Sequence, residues 1–415
     1  MVYSIGQMDL LDALKNLFIR GIDTLSGRAS DFLSRPKRSS APLADRLLAD
    51  AFRLGQIPSP TGREEERAGF VAERLRSLGL RYYVDEGGNI SVILHPPPHS
   101  FERLEPVLLF TRLGSQRWNP LESLGKLDLQ YAAGAGLADV LGPAALLSIA
   151  EGYAAGRYSW DRELLLYFSV LQFDDPGSDA FLSVTSRSGD RKPAAAIGIR
   201  GFSLGSLSSR SQGSYRVELS LSLEEGAEQE KEAPAGDNAI VSALISLAGT
   251  FEALVYDGGK AAGMRAYIRR IEALTAYGRT PVEGALELDL ESSDKALLDK
   301  ALERVNAGAE KMNGGGLRCA ARLVSGIPPG DPSLTEGLRK KLLEVMRELK
   351  IKPEEEAGAD PASFLSSAGI PALSVGIARG REGLSRDKVE IASIEKGRLL
   401  LEKLIARLAG QGGKP

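Results

Sequence analysis

The sequence predicts an α/β protein in which a three-layer α/β domain carries an inserted ferredoxin-like (βαββαβ) domain. Three features of the chain support this prediction. Apolar runs typical of strands alternate with long periodic helices over residues 42–204. A βαββαβ series follows over residues 205–325, and the strand–helix alternation resumes over residues 326–415. An insertion between two halves of one domain is the simplest account of this order.

The first half of the α/β domain begins with two helices, because apolar residues recur every three or four positions over residues 43–57 and 64–78. Strands are predicted at RYYV, NISVIL, PVLLF, LLLYFSV and AAIGI, and a helix is predicted from Gly142. Residues 132–150 form the longest stretch of low charge, but they contain an aspartate, three glycines and a proline. A buried core helix is therefore the better interpretation of this stretch than a membrane span.

The inserted domain has the strand and helix order of a small four-stranded sheet with two helices on one face. Its predicted elements are strand SYRVELSLSL, helix NAIVSALISLAGTFEAL, strands MRAYIRRIEAL and VEGALELDL, a helix over residues 294–312 and strand LRCAARLV. The α/β domain is then completed by helix LTEGLRKKLLEVMRELK, strand ALSVGI and helix IEKGRLLLEKLIARL.

Residues 1–41 stand apart as an amphipathic helix and a linker. The apolar residues of the helix recur at spacings of three and four: Leu10, Leu11, Leu14, Leu17, Phe18, Ile22 and Leu25. We expect this helix to pack on its own protein or on a protein partner. A membrane-surface helix is less favoured, because its basic and acidic residues balance.

Composition excludes several classes of protein. The net charge is −3, from 52 basic and 55 acidic residues, which gives no electrostatic basis for binding nucleic acid. Cys319 is the only cysteine, so neither an intrachain disulfide nor a thiolate metal cluster can form. We interpret Cys319 as a small residue within a strand. No transmembrane segment or secretory signal is predicted, so a cytoplasmic location is the default expectation.

The chain has two histidines, His95 and His99, and both lie in the loop HPPPHS. The three prolines between them prevent the two side chains from sharing a helical face, so we interpret them as surface-loop residues. With no other histidine to activate a serine, a Ser-His-Asp hydrolase is excluded.

Several phrases of the sequence resemble one enzyme family. They are IPSPTGREEERAGFVAERLRSLGL, DEGGNISVIL, PVLLFT, GLADVLGPAALL, LELDLESSD and GADPASFLSSAGIPALSVG. In order and spacing they are similar to the di-zinc exopeptidases and deacylases, which include acetylornithine deacetylase, succinyl-diaminopimelate desuccinylase, carboxypeptidase G and peptidase T. The resemblance covers residues 43–408 and implies a zinc-exopeptidase-like α/β domain.

The resemblance also implies a catalytic site that this chain has lost. In the family two divalent cations clamp a water between them, histidines and carboxylates hold the cations, and a glutamate is the general base. By this resemblance, the family's site positions fall on residues of a vestigial pocket. Arg112 and Gly114 stand where the family has its first histidine and aspartate, and Asp139 stands at the bridging aspartate. Gln172 and Phe173 replace the base and the adjacent ligand, Arg200 replaces a further acidic ligand, and Leu384 replaces the last histidine. Only Asp139 is a residue of the ligand type. We therefore expect no metal, no cofactor and no catalytic residue.

Asp139 needs a new partner if the cations are absent, because a lone buried carboxylate is costly. One hypothesis is that Arg112 or Arg200 forms an ion pair with Asp139. The other is that Asp139 only caps or turns the start of the following helix.

The inserted domain departs from the family in the residues that contact substrate. The resemblance implies an arginine after the LDLR-like strand, where this chain has Glu291, and a histidine from the dimer partner, which no residue between 205 and 324 supplies. The family often dimerises through this domain, so a homodimer through the inserted domain is expected.

These features favour a catalytically inactive metallopeptidase-like protein, a pseudoenzyme with a binding, scaffolding or regulatory role. One alternative is an active metallopeptidase or deacylase acting on C–N bonds of peptides or N-acyl amino acids. It would use an oxygen-rich site of Asp139, Asp174, Asp175 and Asp360 that holds zinc or, more suitably, manganese or magnesium. A second alternative is a binder of small anions that uses Arg112 and Arg200.

Overall fold

The computed structural model describes residues 43–60, 62–96, 104–115, 125–170, 192–223, 239–257, 263–274, 280–359, 361–383 and 386–410. The described residues from Arg46 onward form one compact unit. The helix predicted within residues 1–41 lies outside the described residues, so its role stays a prediction.

Helices and strands occur along the whole of the described chain and are joined by loops and turns. The helices are α1 (Leu43–Gln56), α2 (Glu65–Ser77), α3 (Leu137–Ala154), α4 (Ala239–Asp257), α5 (Lys295–Met312), α6 (Pro332–Glu348), α7 (Pro361–Ser367) and α8 (Ile391–Ala409). The strands are β1 (Tyr83–Val84), β2 (Ile90–Leu94), β3 (Val107–Arg112), β4 (Lys126–Leu127), β5 (Tyr131–Gly134), β6 (Leu164–Ser169), β7 (Ala195–Leu204), β8 (Ser206–Leu223), β9 (Met264–Leu274), β10 (Glu283–Ser292), β11 (Leu317–Ile327), β12 (Glu354–Ala359), β13 (Ala372–Gly376), β14 (Gly380–Arg381) and β15 (Asp387–Glu390).

The main sheet has the strand order β1-β2-β6-β3-β7-β13-β8-β10-β9, and β11 and β12 also pair with β8. Strands β6, β3, β7 and β13 are parallel neighbours, and their apolar runs are buried. Helix α3 packs on one face of β3 and β7, whereas α7 packs on β7 and β13 through a cluster that contains Phe110 and Leu365. The predicted α/β fold with helices on both faces of the sheet is confirmed.

The inserted ferredoxin-like domain is also confirmed. Strands β11, β8, β10 and β9 form an antiparallel sheet, and α4 and α5 cover one face around a core that includes Val217, Leu247 and Leu288. On the open face the buried carboxylate of Asp289 accepts hydrogen bonds from Arg216 Nε at 2.8 Å and Arg269 Nε at 2.7 Å. Burial alone would raise the pKa of Asp289, but these guanidinium groups outweigh burial and lower it.

Strand β8 is longer than the sequence indicates. The predicted strand begins at Ser214, whereas β8 begins at Ser206 and pairs with β12 and β13 before it reaches β10 and β11. One continuous strand therefore runs from the α/β sheet into the inserted domain. The domain boundaries drawn from the sequence, at residues 204/205 and 325/326, stay predictions.

Helix α3 corrects the prediction of a helix that starts at Gly142. It begins at Leu137, so Gly142 and Pro143 lie inside it and Asp139 lies in its first turn. A Cβ on Gly142 would lie 2.5 Å from Thr111 Oγ1 and 2.7 Å from the Ile199 carbonyl oxygen. The glycine is needed for the close approach of α3 to the sheet.

The remaining differences are small. Of the predicted strand RYYV only Tyr83–Val84 is extended. Helix α7, strand β12 and the second sheet of β14, β15, β5 and β4 are not predicted from the sequence. Cys319 is a buried residue of β11, as interpreted. None of the described helices has the length and apolar character needed to cross a membrane.

Candidate functional site

The candidate site lies where the parallel strands of the main sheet end. Arg112 is the last residue of β3 and is level with Ser169, the last residue of β6. Helix α3 lies against β3 and β7, so its first turn reaches the same edge of the sheet. Ligands bind at this edge in many open α/β sheets.

Arg112 and Asp139 meet at this edge. A guanidinium nitrogen of Arg112, Nη2, donates to Asp139 Oδ1, and Ser115 Oγ donates to Asp139 Oδ2 at 2.7 Å. Both oxygens of the carboxylate therefore have a donor from the end of β3 or the loop that follows it. The sequence left two roles open for Asp139, an ion pair with an arginine or a cap of the following helix. The structure contains the ion pair with Arg112.

The start of α3 is capped by a different carboxylate. The backbone N–H of Ala138 donates to Asp387 Oδ2 at 3.0 Å, and the N–H of Gly383 donates to Asp387 Oδ1 at 3.3 Å. Burial raises the pKa of Asp387, and the carboxylates of Glu382 and Asp139 add to that rise, while the two backbone donors oppose it. Asp387 thus fixes the second sheet on the first turn of α3.

Arg200 has another partner. It lies on β7 two residues after Gly198, the residue that pairs with Phe110 of β3, so Arg200 and Arg112 are level on adjacent strands. Arg200 Nη2 nevertheless donates to Ser206 Oγ at 2.8 Å, at the start of β8.

The loop after β3 is held by a buried arginine that the sequence analysis missed. Arg67 of α2 is 1% exposed, and its Nη1 and Nη2 donate to the carbonyl oxygens of Leu113 at 2.5 Å and Ile57 at 2.8 Å. Burial lowers the pKa of Arg67 to about 10, although the nearby carboxylates of Asp139 and Glu64 oppose that fall.

A signal for Arg67 was present in the sequence. Arg67, Val71 and Leu75 are spaced by four residues and form the buried face of α2. An arginine on the same helical face as two buried apolar residues is expected to be buried too, and a buried charge needs a partner. Ser115 and Asp387, in contrast, are brought to the site by a loop and by the second sheet, and no sequence pattern predicts these contacts.

The other residues considered from the sequence divide into three groups. Gly114 lies in the loop after β3, next to the carboxylate of the buried Glu64. Seven residues lie outside the described ranges: Gln172, Phe173, Asp174, Asp175, Asp360, Leu384 and His99. His95 is an exposed residue whose Nδ1 lies 3.1 Å from Glu163 Oε1, away from Asp139 in the fold.

Sequence comparison gives no relative, since neither a protein-family model nor a curated protein sequence matches the chain. Solved structures do match. Aminopeptidase PepT from Bacillus cereus has a TM-score of 0.58 and 14% identity, covering 88% of this chain and 99% of its own. Human carnosine dipeptidase 1 has a TM-score of 0.66 and 11% identity, covering 88% and 97%.

The third structure decides the fold. Bacillus subtilis YxeP, a dinuclear metal-binding peptidase of the M20 family, has a TM-score of 0.57 and 13% identity, covering 89% of this chain and 99% of YxeP. The chain has the M20 peptidase fold. The resemblance inferred from the sequence is confirmed for the fold. Identities this low show the fold alone.

The described side chains of this M20 fold do not fit a dinuclear metal centre. Both carboxylate oxygens of Asp139 have donors, and the charged side chains of Arg112 and Arg67 are nearby. At an effective dielectric of 20, a dication about 5 Å from one guanidinium group is repelled by roughly 7 kcal/mol. Within the described ranges, no three His, Cys, Asp or Glu side chains are grouped so that they could hold a metal ion.

Proposed function

We propose that this chain is a catalytically inactive protein with an M20 peptidase fold, and that it acts by binding or scaffolding. The observation that carries the proposal is the ion pair between Arg112 and Asp139. Each oxygen of this carboxylate accepts a hydrogen bond, one from Arg112 and one from Ser115, so a cation bound there would lie beside the Arg112 charge. In dinuclear metallopeptidases the bound cations lower the pKa of the attacking water, and a site without cations would lack that chemistry.

The inserted domain supplies the surface for a binding role. Strand β9 is the last strand of the sheet order and, within the described residues, pairs only with β10. Beside this edge, Ile245 of α4 is 67% exposed, and Ile268 and Ile271 of β9 are exposed as well. An unpaired strand edge next to exposed isoleucines is typical of a surface that joins a second strand. We therefore assign this edge to a second copy of the chain.

Hydrolysis assays test the inactivity directly. The purified chain is incubated with Zn²⁺ or Mn²⁺ and offered dipeptides, tripeptides and N-acyl amino acids, with the aminopeptidase PepT as positive control. We expect no hydrolysis with either metal. Turnover that requires added metal and disappears in an Asp139→Asn variant would favour the oxygen-rich metallohydrolase instead.

The anion-binding alternative has its own readout. A ligand of the folded state raises the melting temperature as its concentration rises. Because Arg112 pairs with Asp139 and Arg200 with Ser206, we expect amino acids and short carboxylates to leave the melting temperature unchanged. A rise that Arg200→Gln abolishes would support the binder.

A further inference from the structure

The charged groups at the end of β3 are of both signs. They are the guanidinium groups of Arg67 and Arg112 and the carboxylates of Glu64 and Asp139. We propose that these four groups neutralise the pocket internally: the two guanidinium groups take the place of bound cations, and the Glu64 carboxylate fills the space of a side chain at position 114. The inference rests on the proposed function, because a pocket without metal needs another source of positive charge.

Arg67 supplies a permanent charge at the base of the pocket. A pKa of about 10 leaves Arg67 protonated at neutral pH, even though its side chain is buried. Its two hydrogen bonds go to carbonyl oxygens, which carry no net charge. The compensating charge comes from Glu64 and Asp139, the two carboxylates that oppose the fall in the pKa of Arg67.

Glu64 explains the glycine at position 114. Glu64 is the residue before α2 and is in the N-cap position, but its side chain makes no capping hydrogen bond and is only 3% exposed. A Cβ on Gly114 would lie 2.9 Å from Glu64 Oε1. The φ of Gly114 is outside the left-handed region, so the backbone does not require glycine there. The carboxylate of Glu64 does.

The signs of the four charges cancel. Two guanidinium groups and two carboxylates sum to zero charge, so these four described groups give neither a dication nor an anion a net attraction. Arg67, Arg112, Glu64 and Asp139 then form one charge-balanced cluster, and Gly114 leaves space for the Glu64 carboxylate.

A double-mutant cycle tests the contact between Glu64 and position 114. Gly114→Ala is expected to lower the melting temperature by about 1–4 °C, since the new methyl group must displace the buried carboxylate of Glu64. In a Glu64→Ala background, the same substitution is expected to cost less than half as much, because the space is empty. Gly69→Ala is the control: it is an exposed position of α2 with open space around its Cβ, and it should leave the melting temperature unchanged or raise it.

The outcomes separate this proposal from the proposed function. If Gly114→Ala has no cost, or has the same cost with and without Glu64, the carboxylate moves freely and internal neutralisation is wrong. Hydrolysis by the purified chain would contradict the proposed function whatever the cycle gives. A second measurement uses Arg112→Gln, which leaves the pocket one negative charge in excess. Mn²⁺ is expected to raise the melting temperature of Arg112→Gln more than that of the unmodified chain, and an equal response of the two proteins would contradict the charge balance.

Discussion

Replacing Arg112 by methionine removes the charge that pairs with Asp139 and keeps most of the aliphatic side chain. Asp139 then retains the Ser115 hydroxyl as its donor. Exposed ion pairs contribute about 0–1 kcal/mol, whereas loss of one partner from a fully buried pair costs about 3–5 kcal/mol. The side chains of Arg112 and Asp139 are 37% and 11% exposed, so the pair lies between these limits. We expect a loss of about 2 kcal/mol in the free energy of unfolding.

This loss converts to a modest thermal shift. At about 2.1 cal/mol/K per residue, the unit of residues 46–415 has an unfolding entropy of roughly 780 cal/mol/K, so about 2 kcal/mol lowers the melting temperature by about 2.5 °C. Urea unfolding followed by circular dichroism, together with differential scanning calorimetry, measures both quantities. Arg379→Met is the matched control, since Arg379 is half-exposed and its nearest carboxylate, Glu390, is 4.0 Å away.

The pairing is tested further by Asp139→Asn and by the double variant. If the two charges interact, the double variant loses less stability than the sum of the single variants. A stability of Arg112→Met within about 0.5 kcal/mol of the unmodified chain, or strictly additive losses, would refute the assignment of Arg112 as the partner of Asp139.

Three further predictions concern other parts of the fold. Asp289→Asn leaves two arginine side chains of the inserted domain without their carboxylate and should cost about 2–4 kcal/mol at neutral pH by urea unfolding; because the pKa of Asp289 is lowered, its stabilisation is present above about pH 4 and is lost progressively in acid, so a difference that does not shrink as the pH falls below about 4 would count against it. The pKa of Asp387 is raised, so folding disfavours its ionised form and the unmodified chain loses stability as the pH rises above about 4. The Asp387→Asn variant should therefore become more stable relative to the unmodified chain over this range, and a pH-independent difference would contradict this prediction. Ile271→Lys should abolish self-association in sedimentation velocity, whereas Leu129→Lys, at a fully exposed position of the β4–β5 turn, should not; a chain that is monomeric before substitution would remove the assignment.

The strands and helices that carry the fold could be predicted because their apolar patterns are local. The buried runs of β3 and β6 and the periodic helices α5 and α8 are readable in isolation. Strand β12 could not be predicted, since Glu354–Ala359 begins with three glutamates and becomes a strand only by pairing with β8. The sequence predicts that α3 starts at Gly142, whereas the helix begins at Leu137 and Gly142 lies inside it, where its missing side chain allows packing against Thr111.

Part of the candidate site could be predicted from the sequence, at the positions of Arg112 and Asp139. Asp139 and Arg112 could be singled out because the resemblance to the di-zinc exopeptidases assigns both to ligand positions of that family. Ser115, Glu64 and Asp387 could not, because each reaches the pocket from a different element and only the tertiary fold brings them together.

Metal occupancy at Asp139 tests the central claim most directly. The full-length chain is purified, incubated with Zn²⁺ and with Mn²⁺, desalted, and measured by inductively coupled plasma mass spectrometry; crystals grown with each metal are then measured at its absorption edge. We predict far less than one metal ion per chain and no anomalous peak near Asp139. Two stoichiometric ions beside Asp139, with the Arg112 guanidinium displaced, would contradict the account.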